Sequence, residues 1–308
     1  GKYAQAQSLY QRSLALFADT LGPEHPDALI TLSNLALPYM QQGKYAQAEP
    51  FLERALATRE RVLGPEHPNT AVSLQLLGRL YTLQGKYTQA EPLLQRALAL
   101  HERLLGREHD FTIRDLLFLG QLLQATGQDA QAESVYQQAL ALFERILGPE
   151  HPRVAETLTR LAQLSTRQGH YQQAEPLLER ALAIAEQALG PEHPQTAPIL
   201  DAQGHLALLQ GREEQAETLL RRALDIEEKT LGNSHPEVAK TLHHLAQLSE
   251  KQGKHEQAHS LYQQALSIQE HALGADHPDT KASREALTRL HAEGQQGTTT
   301  QTWSVPPV

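Results

Sequence analysis

The chain has 308 residues, a formal net charge of −9 and no cysteine, and only 5% of its residues are aromatic. The charge is spread along the chain without a basic stripe, which excludes the usual footprint of a nucleic-acid-binding protein. The lack of cysteine excludes disulfide frameworks and thiolate metal sites, and the lack of an apolar run of about 18 residues excludes a membrane-spanning helix.

A five-residue tag, Leu-Gly-x-x-His, recurs seven times at intervals of 42 residues. Its copies begin at Leu21, Leu63, Leu105, Leu147, Leu189, Leu231 and Leu273. Self-similarity at such a period is the signature of a solenoid, in which one supersecondary unit stacks on copies of itself. The abundance of Ala, Leu, Gln and Glu favours helices, so we expect an all-α array with essentially no strand.

Residues 1–21 are predicted to form the second helix of a repeat whose first helix is missing from the sequence. The apolar residues Tyr3, Leu9, Tyr10 and Leu14 then lack a covering partner, whereas terminal repeats normally need a polar cap. We therefore expect this end to fray, to self-associate or to continue into a further domain. The chain also opens in mid-repeat without Met, so we expect it to be part of a longer protein.

Each complete period predicts two antiparallel helices, here called helix A and helix B. In the second period helix A starts at Pro68, whose missing N–H costs nothing at a first helical position. It stops at Gly85, which can adopt the left-handed conformation that closes a helix, and helix B runs from about Lys86 to Gly106. Helix B carries a column of alanines whose small side chains let paired helices approach closely. This column consists of Ala6, Ala48, Ala90, Ala132, Ala174, Ala216 and Ala258.

The C-terminal end is predicted to close the array with a polar helix over residues 278–293, which carries Lys281, Arg284, Glu285 and Arg289. The array therefore spans residues 1–293. From Gly294 onward the polar, Thr- and Pro-containing sequence predicts a disordered tail over residues 294–308, which includes the single tryptophan, Trp303.

Several recurring positions resemble the tetratricopeptide repeat in the 42-residue form typical of kinesin light chains. The Leu-Gly or Leu-Ala pair of that family is matched by Leu35-Ala36, Leu77-Gly78, Leu119-Gly120, Leu161-Ala162 and Leu245-Ala246. Its turn glycine is matched by Gly43, Gly85, Gly127, Gly169, Gly211 and Gly253. The resemblance implies an all-α, right-handed superhelical solenoid of about fourteen helices: one lone helix B, six antiparallel pairs and a final capping helix.

The resemblance also implies a non-enzymatic protein-interaction module, because the A helices of this family line a concave groove that takes a peptide or a partner helix. Two alternatives stay open. Similar arrays form the ligand-sensing C-terminal arm of larger bacterial signalling ATPases of the NB-ARC type, and a self-associating structural spacer would leave the groove unused. The absence of a signal peptide and of cysteine fits a cytoplasmic protein.

Groove positions carried across by register differ between the two halves of the chain. The first three copies are mostly apolar with two arginines, and place Asn34, Leu37, Val72, Leu76, Arg79, Arg114, Phe118 and Gln121 in the groove. The later copies are polar and place Arg160, Gln163, Arg167, His205, Lys240, His243, His244 and Gln247 there. Because Arg pairs bidentately with carboxylates, we expect a peptide with apolar anchors in the N-terminal part and an acidic portion further on. The alternative is a solvated groove whose residues vary freely.

No catalytic, cofactor or metal site is predicted. The chain lacks a Gly-x-Ser-x-Gly elbow, a phosphate-binding loop and a cysteine nucleophile. One histidine per repeat follows the Leu-Gly pair, and we expect its ring either to bond the loop backbone or to face the C-terminal end of helix B, where a proton would be favoured. These are His25, His67, His109, His151, His193, His235 and His277.

Overall fold

The computed structural model describes the backbone of residues 2–299 and the side chains of residues 5–292. Within this part of the chain all regular structure is helical. The helices are α1 (Lys2–Thr20), α2 (Pro26–Met40), α3 (Tyr45–Val62), α4 (Pro68–Leu83), α5 (Tyr87–Leu105), α6 (Asp110–Ala125), α7 (Asp129–Leu147), α8 (Pro152–Arg167), α9 (Tyr171–Leu189), α10 (Ala197–Leu209), α11 (Glu213–Thr230), α12 (Pro236–Lys251), α13 (His255–Ala272) and α14 (Pro278–Thr299).

These fourteen helices form an all-α solenoid, which confirms the predicted fold class. Even-numbered helices are A helices and odd-numbered helices are B helices, so α1 is the lone helix B and α14 is the last helix A. Each helix packs on its neighbours along the chain.

The last helix continues to Thr299, past Glu293, where we expected the array to end and disorder to begin. Gly294 and Gly297 lie within it, and a glycine weakens a helix interior by only about 1 kcal/mol relative to alanine. The rest of the predicted tail, with Trp303, lies outside the described residues.

The recurring histidine caps helix A. In His25, His67, His109, His151 and His235 the ring Nδ1 accepts a hydrogen bond from the backbone N–H two residues later, at the start of the helix. His277 accepts the same bond, whereas His193 accepts one from Gln195 in the loop before α10. We expected a bond to the loop backbone, and His193 makes one; for the other six histidines the donor instead lies in the first turn of helix A.

The alanine column of helix B lies in the core, as predicted, except that Ala6 on α1 is half-buried. Ala48, Ala90, Ala132, Ala174, Ala216 and Ala258 are each 0% exposed. Opposite this surface, three A helices carry glycine, and a Cβ added at Gly78 or Gly204 would lie 2.7 Å or 2.6 Å from a leucine Cγ on the paired helix. The paired helices are therefore in closer contact than a larger side chain would allow.

Candidate peptide-binding groove

Four consecutive A helices, α4, α6, α8 and α10, enclose a cleft of about 590 Å³ on the inner wall of the solenoid. We call it the arginine cleft because Arg79, Arg114, Arg153 and Arg160 all line it. Its remaining walls include apolar side chains and a few neutral polar ones. These are chiefly Leu117, Phe118, Ile199, Thr159, Gln163 and Gln195.

The Phe118 ring contacts two of the guanidinium groups in the arginine cleft. The Arg79 guanidinium carbon lies 5.0 Å from the centre of the Phe118 ring, and that of Arg114 lies 5.9 Å from it. Phe118 itself is buried. A cation over an aromatic face within about 6 Å is attracted by the ring quadrupole, so these contacts orient the arginines without neutralising them.

The cleft carries more positive than negative charge. Arg114 and Arg153 share one carboxylate, that of Asp110, at nitrogen–oxygen distances of 3.9 and 3.4 Å. Arg160 donates to the side-chain oxygen of Gln121 at 2.6 and 3.1 Å when that amide is turned toward it. Among the described residues Arg79 has neither an ion pair nor a hydrogen bond. Within the described residues, the acidic groups that act on these guanidinium groups are Asp110, the buried Asp115 and the exposed Glu156, so the cleft keeps an excess of positive charge in a chain of net charge −9.

Burial lowers the pKa of Arg79 and of Arg114, and neighbouring arginines add to the effect. The direction of both shifts means that the charged form is under-compensated in the folded protein. Arginine stays protonated at any physiological pH. An anionic group entering the cleft would therefore supply the missing counter-charge.

Lys240 and His244 of the sixth repeat are already paired inside the protein. The carboxylate of Asp201, which is 2% exposed, lies 2.8 Å from Lys240 Nζ and 2.6 Å from His244 Nδ1. His205 stacks on His244 with ring centres 4.2 Å apart. Burial alone would raise the pKa of Asp201, but His244 and Lys240 outweigh it and hold that pKa well below its usual value. We call Asp201, His205, Lys240 and His244 the ionic cluster.

Three further predicted groove residues lie away from the arginine cleft. Arg167 pairs with Asp129 and donates to the backbone carbonyl of Gln124. His243 makes a 2.8 Å hydrogen bond with Ser283, and Gln247 bonds the other ring nitrogen of His243. These side chains stabilise contacts between neighbouring helices.

The apolar residues predicted for the N-terminal groove belong largely to the core. Leu76 is buried, and the half-buried Leu37 and Val72 pack against the same apolar cluster. Asn34 is half-buried on α2. The structure thus brings Arg79, Arg114, Phe118, Arg160 and Gln163 to one cleft, with Gln121 bonded to Arg160 at its edge.

Sequence reasoning missed Arg153. It follows the His-Pro pair at the start of α8, a position that holds Asp27, Asn69 and Phe111 in the preceding repeats. This variation inside an otherwise uniform segment is the signal that could have identified it.

Within the described residues, no group of three His, Cys, Asp or Glu side chains is placed to hold a metal ion. None of the described helices combines the length and the apolar character needed to cross a membrane.

Two family models, both described as tetratricopeptide repeat, match the chain. One matches residues 27–103, 80–145, 116–187, 155–229, 202–271 and 237–296, and the other matches residues 1–27. No match is found among curated proteins.

Solved structures of repeat proteins are similar to this chain. A kinesin-light-chain-type protein of Podosopora anserina, with nearly identical TPR-like repeats, is 30% identical; the match covers 67% of this chain and 98% of that one, with a TM-score of 0.52. BtubC (BKLC) from P. vanneervenii is 23% identical over 75% of this chain and 93% of that one, with a TM-score of 0.57. The apo form of RapI is 14% identical over 87% and 91%, with a TM-score of 0.65.

Proposed function

Because the chain belongs to the tetratricopeptide repeat family, with repeats like those of kinesin light chains, we propose that its groove binds a peptide through the arginine cleft. The repeats form a protein-interaction scaffold of a generally non-enzymatic fold. The proposed ligand has an acidic group for Arg79, Arg114, Arg153 and Arg160, and an apolar anchor beside it.

The unpaired Arg79 is the observation that carries this proposal. Arg79 is half-buried, and a cation withdrawn from water without an ion pair costs free energy that a hydrogen-bonded anion offsets. The planar guanidinium groups can each take a carboxylate or phosphate oxygen pair in a directed way. The apolar wall formed by Phe118, Leu117 and Ile199 lies in the same cleft and would take an aliphatic or aromatic side chain.

We revise the position in the groove at which the acidic portion of the peptide is expected to bind. From the sequence we expected it in the later repeats, whose basic side chains include Arg160, Arg167, His205, Lys240 and His244. Lys240 and His244 already pair with Asp201, so an anion in the fifth and sixth repeats would have to displace an internal carboxylate. We therefore place the acidic group in the cleft between α4 and α8.

The test measures binding of fluorescent acidic peptides, each containing one Phe or Leu, by anisotropy at several salt concentrations. Double substitution Arg79→Gln with Arg160→Gln should weaken binding of the best peptide by roughly ten- to a hundredfold, since hydrogen bonds to charged groups contribute about 1.5–3 kcal/mol. The dependence of binding on salt should also become shallower.

Arg221→Gln is the matched control, because Arg221 pairs with Glu217 on the same helix B and is well exposed. It should leave binding unchanged. Equal affinity of the parent protein and a helical, monodisperse double variant would contradict the proposal, as would equal binding of the peptide in which every Glu is replaced by Gln.

A further inference from the structure

The first and last repeats touch each other across one turn of the superhelix. A Cβ added at Gly43, between α2 and α3, would overlap Pro236 Cδ and lie 2.9 Å from Pro236 Cγ. A Cβ added at Gly85, between α4 and α5, would lie 3.2 Å from His277 Cδ2 and 3.4 Å from Pro278 Cδ. Gly43 and His235 are 192 residues apart, as are Gly85 and His277. The second contact therefore repeats the first one period later, as expected when two turns of a solenoid overlap.

This contact is confined to the overlapping ends. The equivalent turn glycines Gly127, Gly169 and Gly253 would meet no atom within 4 Å if a Cβ were added. The glycines at the first two turns thus serve two purposes. Like the others they adopt a positive φ, 67° at Gly43 and 72° at Gly85, and they also leave room for a His-Pro pair from the other end of the chain.

The two histidines in this contact have a defined orientation. Nδ1 of His235 and of His277 accepts the capping bond of its own helix, so the remaining proton must lie on Nε2. Burial lowers the pKa of both histidines, and the nearby backbone of Gln41 at His235 and of Leu83 at His277 opposes that shift. The side chain of His277 is 9% exposed, whereas that of His25, which has no such neighbour, is 38% exposed.

Apolar packing accompanies the contact between the rings and the turn glycines. Leu273, just before the loop that precedes α14, packs against the apolar cluster formed by α2 to α6, which also contains Leu83 and Tyr87. Tyr45, which follows the Gly43 turn, is 5% exposed. The contact therefore combines the edges of histidine and proline rings with buried apolar surface at two successive positions.

We propose that this overlap, here called the clasp, closes the superhelix into a ring around the arginine cleft and restricts ligands to those with a free chain end. The clasp consists of residues 41–45 and 83–87 on one side and 235–237, 273 and 277–279 on the other. While it is closed, an internal segment of a partner cannot be laid sideways into the groove, but a chain end can enter along the axis. Only this statement about ligands rests on the proposed function.

The clasp itself is tested without a ligand. The chain has no cysteine, so Gln47→Cys and Asn233→Cys, both at exposed positions, allow two spin labels to be attached and their distance to be measured. The parent should give one short, narrow distance distribution. Gly43→Asn with Gly85→Asn should lengthen it by about one interhelical spacing, ~10 Å, and broaden it.

The matched control is Gly127→Asn with Gly169→Asn. These glycines have φ values of 77° and 79° and no clasp partner, and asparagine tolerates this conformation at all four sites. A second variant, His235→Asn with His277→Asn, keeps an N-cap side chain but removes the rings that reach the first repeats, and should also lengthen the distance. A broad distribution in the parent, or equal distributions in the clasp variants and the control, would overturn the clasp.

Ligand access is tested with one acidic peptide in two forms, linear and cyclised head to tail. The parent and the Gly127→Asn, Gly169→Asn control should bind the linear form at least tenfold more tightly than the cyclic form. Opening the clasp should remove most of that difference. Equal binding of both forms by the closed parent would overturn the access role while leaving the groove function intact. Binding of neither form by any variant would remove the groove function, and the access role with it.

Discussion

At the scale of single residues, the most repeated feature is a histidine that acts as a helix N-cap. Side chains of Ser, Thr, Asn and Asp are the usual caps, but here an imidazole nitrogen accepts the N–H two residues on. His67 shows it in α4, where Nδ1 lies 3.1 Å from the backbone nitrogen of Asn69. His170 lies at the start of α9 but makes no capping bond. A substitution there therefore serves as a control for effects of losing a histidine that do not come from the cap.

We predict that His67→Ala lowers the free energy of unfolding by about 1 kcal/mol, the usual cost of losing a cap. His67→Asn should recover most of it, and His170→Ala should cost much less than His67→Ala. Urea denaturation followed by circular dichroism measures all three. Equal losses in His67→Ala and His170→Ala would show that the cap contributes nothing.

The ionic cluster predicts a pH dependence. Burial lowers the pKa of His205 to about 3, and the nearby His244 pushes it the same way, with Lys240 adding to the shift and Asp201 opposing it. Burial likewise lowers the pKa of His243 to about 4. Both rings stay neutral in the folded state while the unfolded chain takes up protons below about 6.5, so stability is lost as the pH falls from about 6.5 toward 4. The lowered pKa of Asp201 acts in the same direction at lower pH.

We therefore expect the urea concentration at which half of the protein is unfolded to be lower at pH 4.5 than at pH 7.5. The fall should be smaller in His205→Gln, since Gln121 and Gln163 occupy the equivalent positions in other repeats. A fall of the same size in parent and variant would mean that His205 does not take part.

At the scale of helices, pairing depends on matching a small residue on helix A with a large one on helix B. A Cβ added at Gly120 would overlap the Tyr136 ring, lying 2.7 Å from Cδ1 and 2.9 Å from Cζ. The equivalent pair in α8 and α9 is Ala162 with Leu178, both almost completely buried. Alanine is thus compatible with leucine at this crossing.

We predict that Gly120→Ala destabilises the protein by about 1–3 kcal/mol, the range for overpacking a close contact. Adding Tyr136→Leu should recover part of this loss, because the pair then matches Ala162 and Leu178. A double-mutant cycle measures the coupling. Additive losses in the double variant would contradict the proposed steric match.

Helix positions could be predicted well from the sequence, because Gly and His-Pro mark most of their ends. One exception is α10, which begins at Ala197 rather than at Pro194, the residue that follows its histidine. Pro198 explains the shift, since it has no N–H to bond the carbonyl of Pro194. The pairing of Asp201 with Lys240 and His244, unlike the helix positions, could not be predicted from the sequence. That arrangement depends on which side chains face each other across neighbouring A helices.

At the scale of the whole molecule, the overlap of the two ends could not be predicted. The angle between successive repeats is small and accumulates, so whether residue 43 meets residue 236 depends on the total rotation over more than four repeats. No local pattern encodes that sum. The arginine cleft was predictable in part, since Arg79, Arg114 and Arg160 stand at groove positions, but its closure by the same rotation was not.

The uncovered N-terminal helix predicts concentration-dependent self-association. Leu9 and Leu16 of α1 are 62% and 61% exposed, whereas residues equivalent to Leu16 in later B helices, such as Leu100, Ile184 and Ile226, are 6%, 2% and 1% exposed. In those repeats a helix A covers the position, and α1 has no preceding helix A among the described residues. Two copies that bury this face against each other would remove apolar surface from water, which favours a dimer.

Sedimentation velocity over a range of concentrations should show the parent associating and Leu9→Gln with Leu16→Gln remaining monomeric. Leu209→Gln is the control, because Leu209 is 42% exposed at the end of α10, far along the chain from α1. It should associate like the parent. A parent that stays monomeric at all concentrations would exclude α1 as an interface. Undiminished association of the double variant would instead assign the interface to another surface.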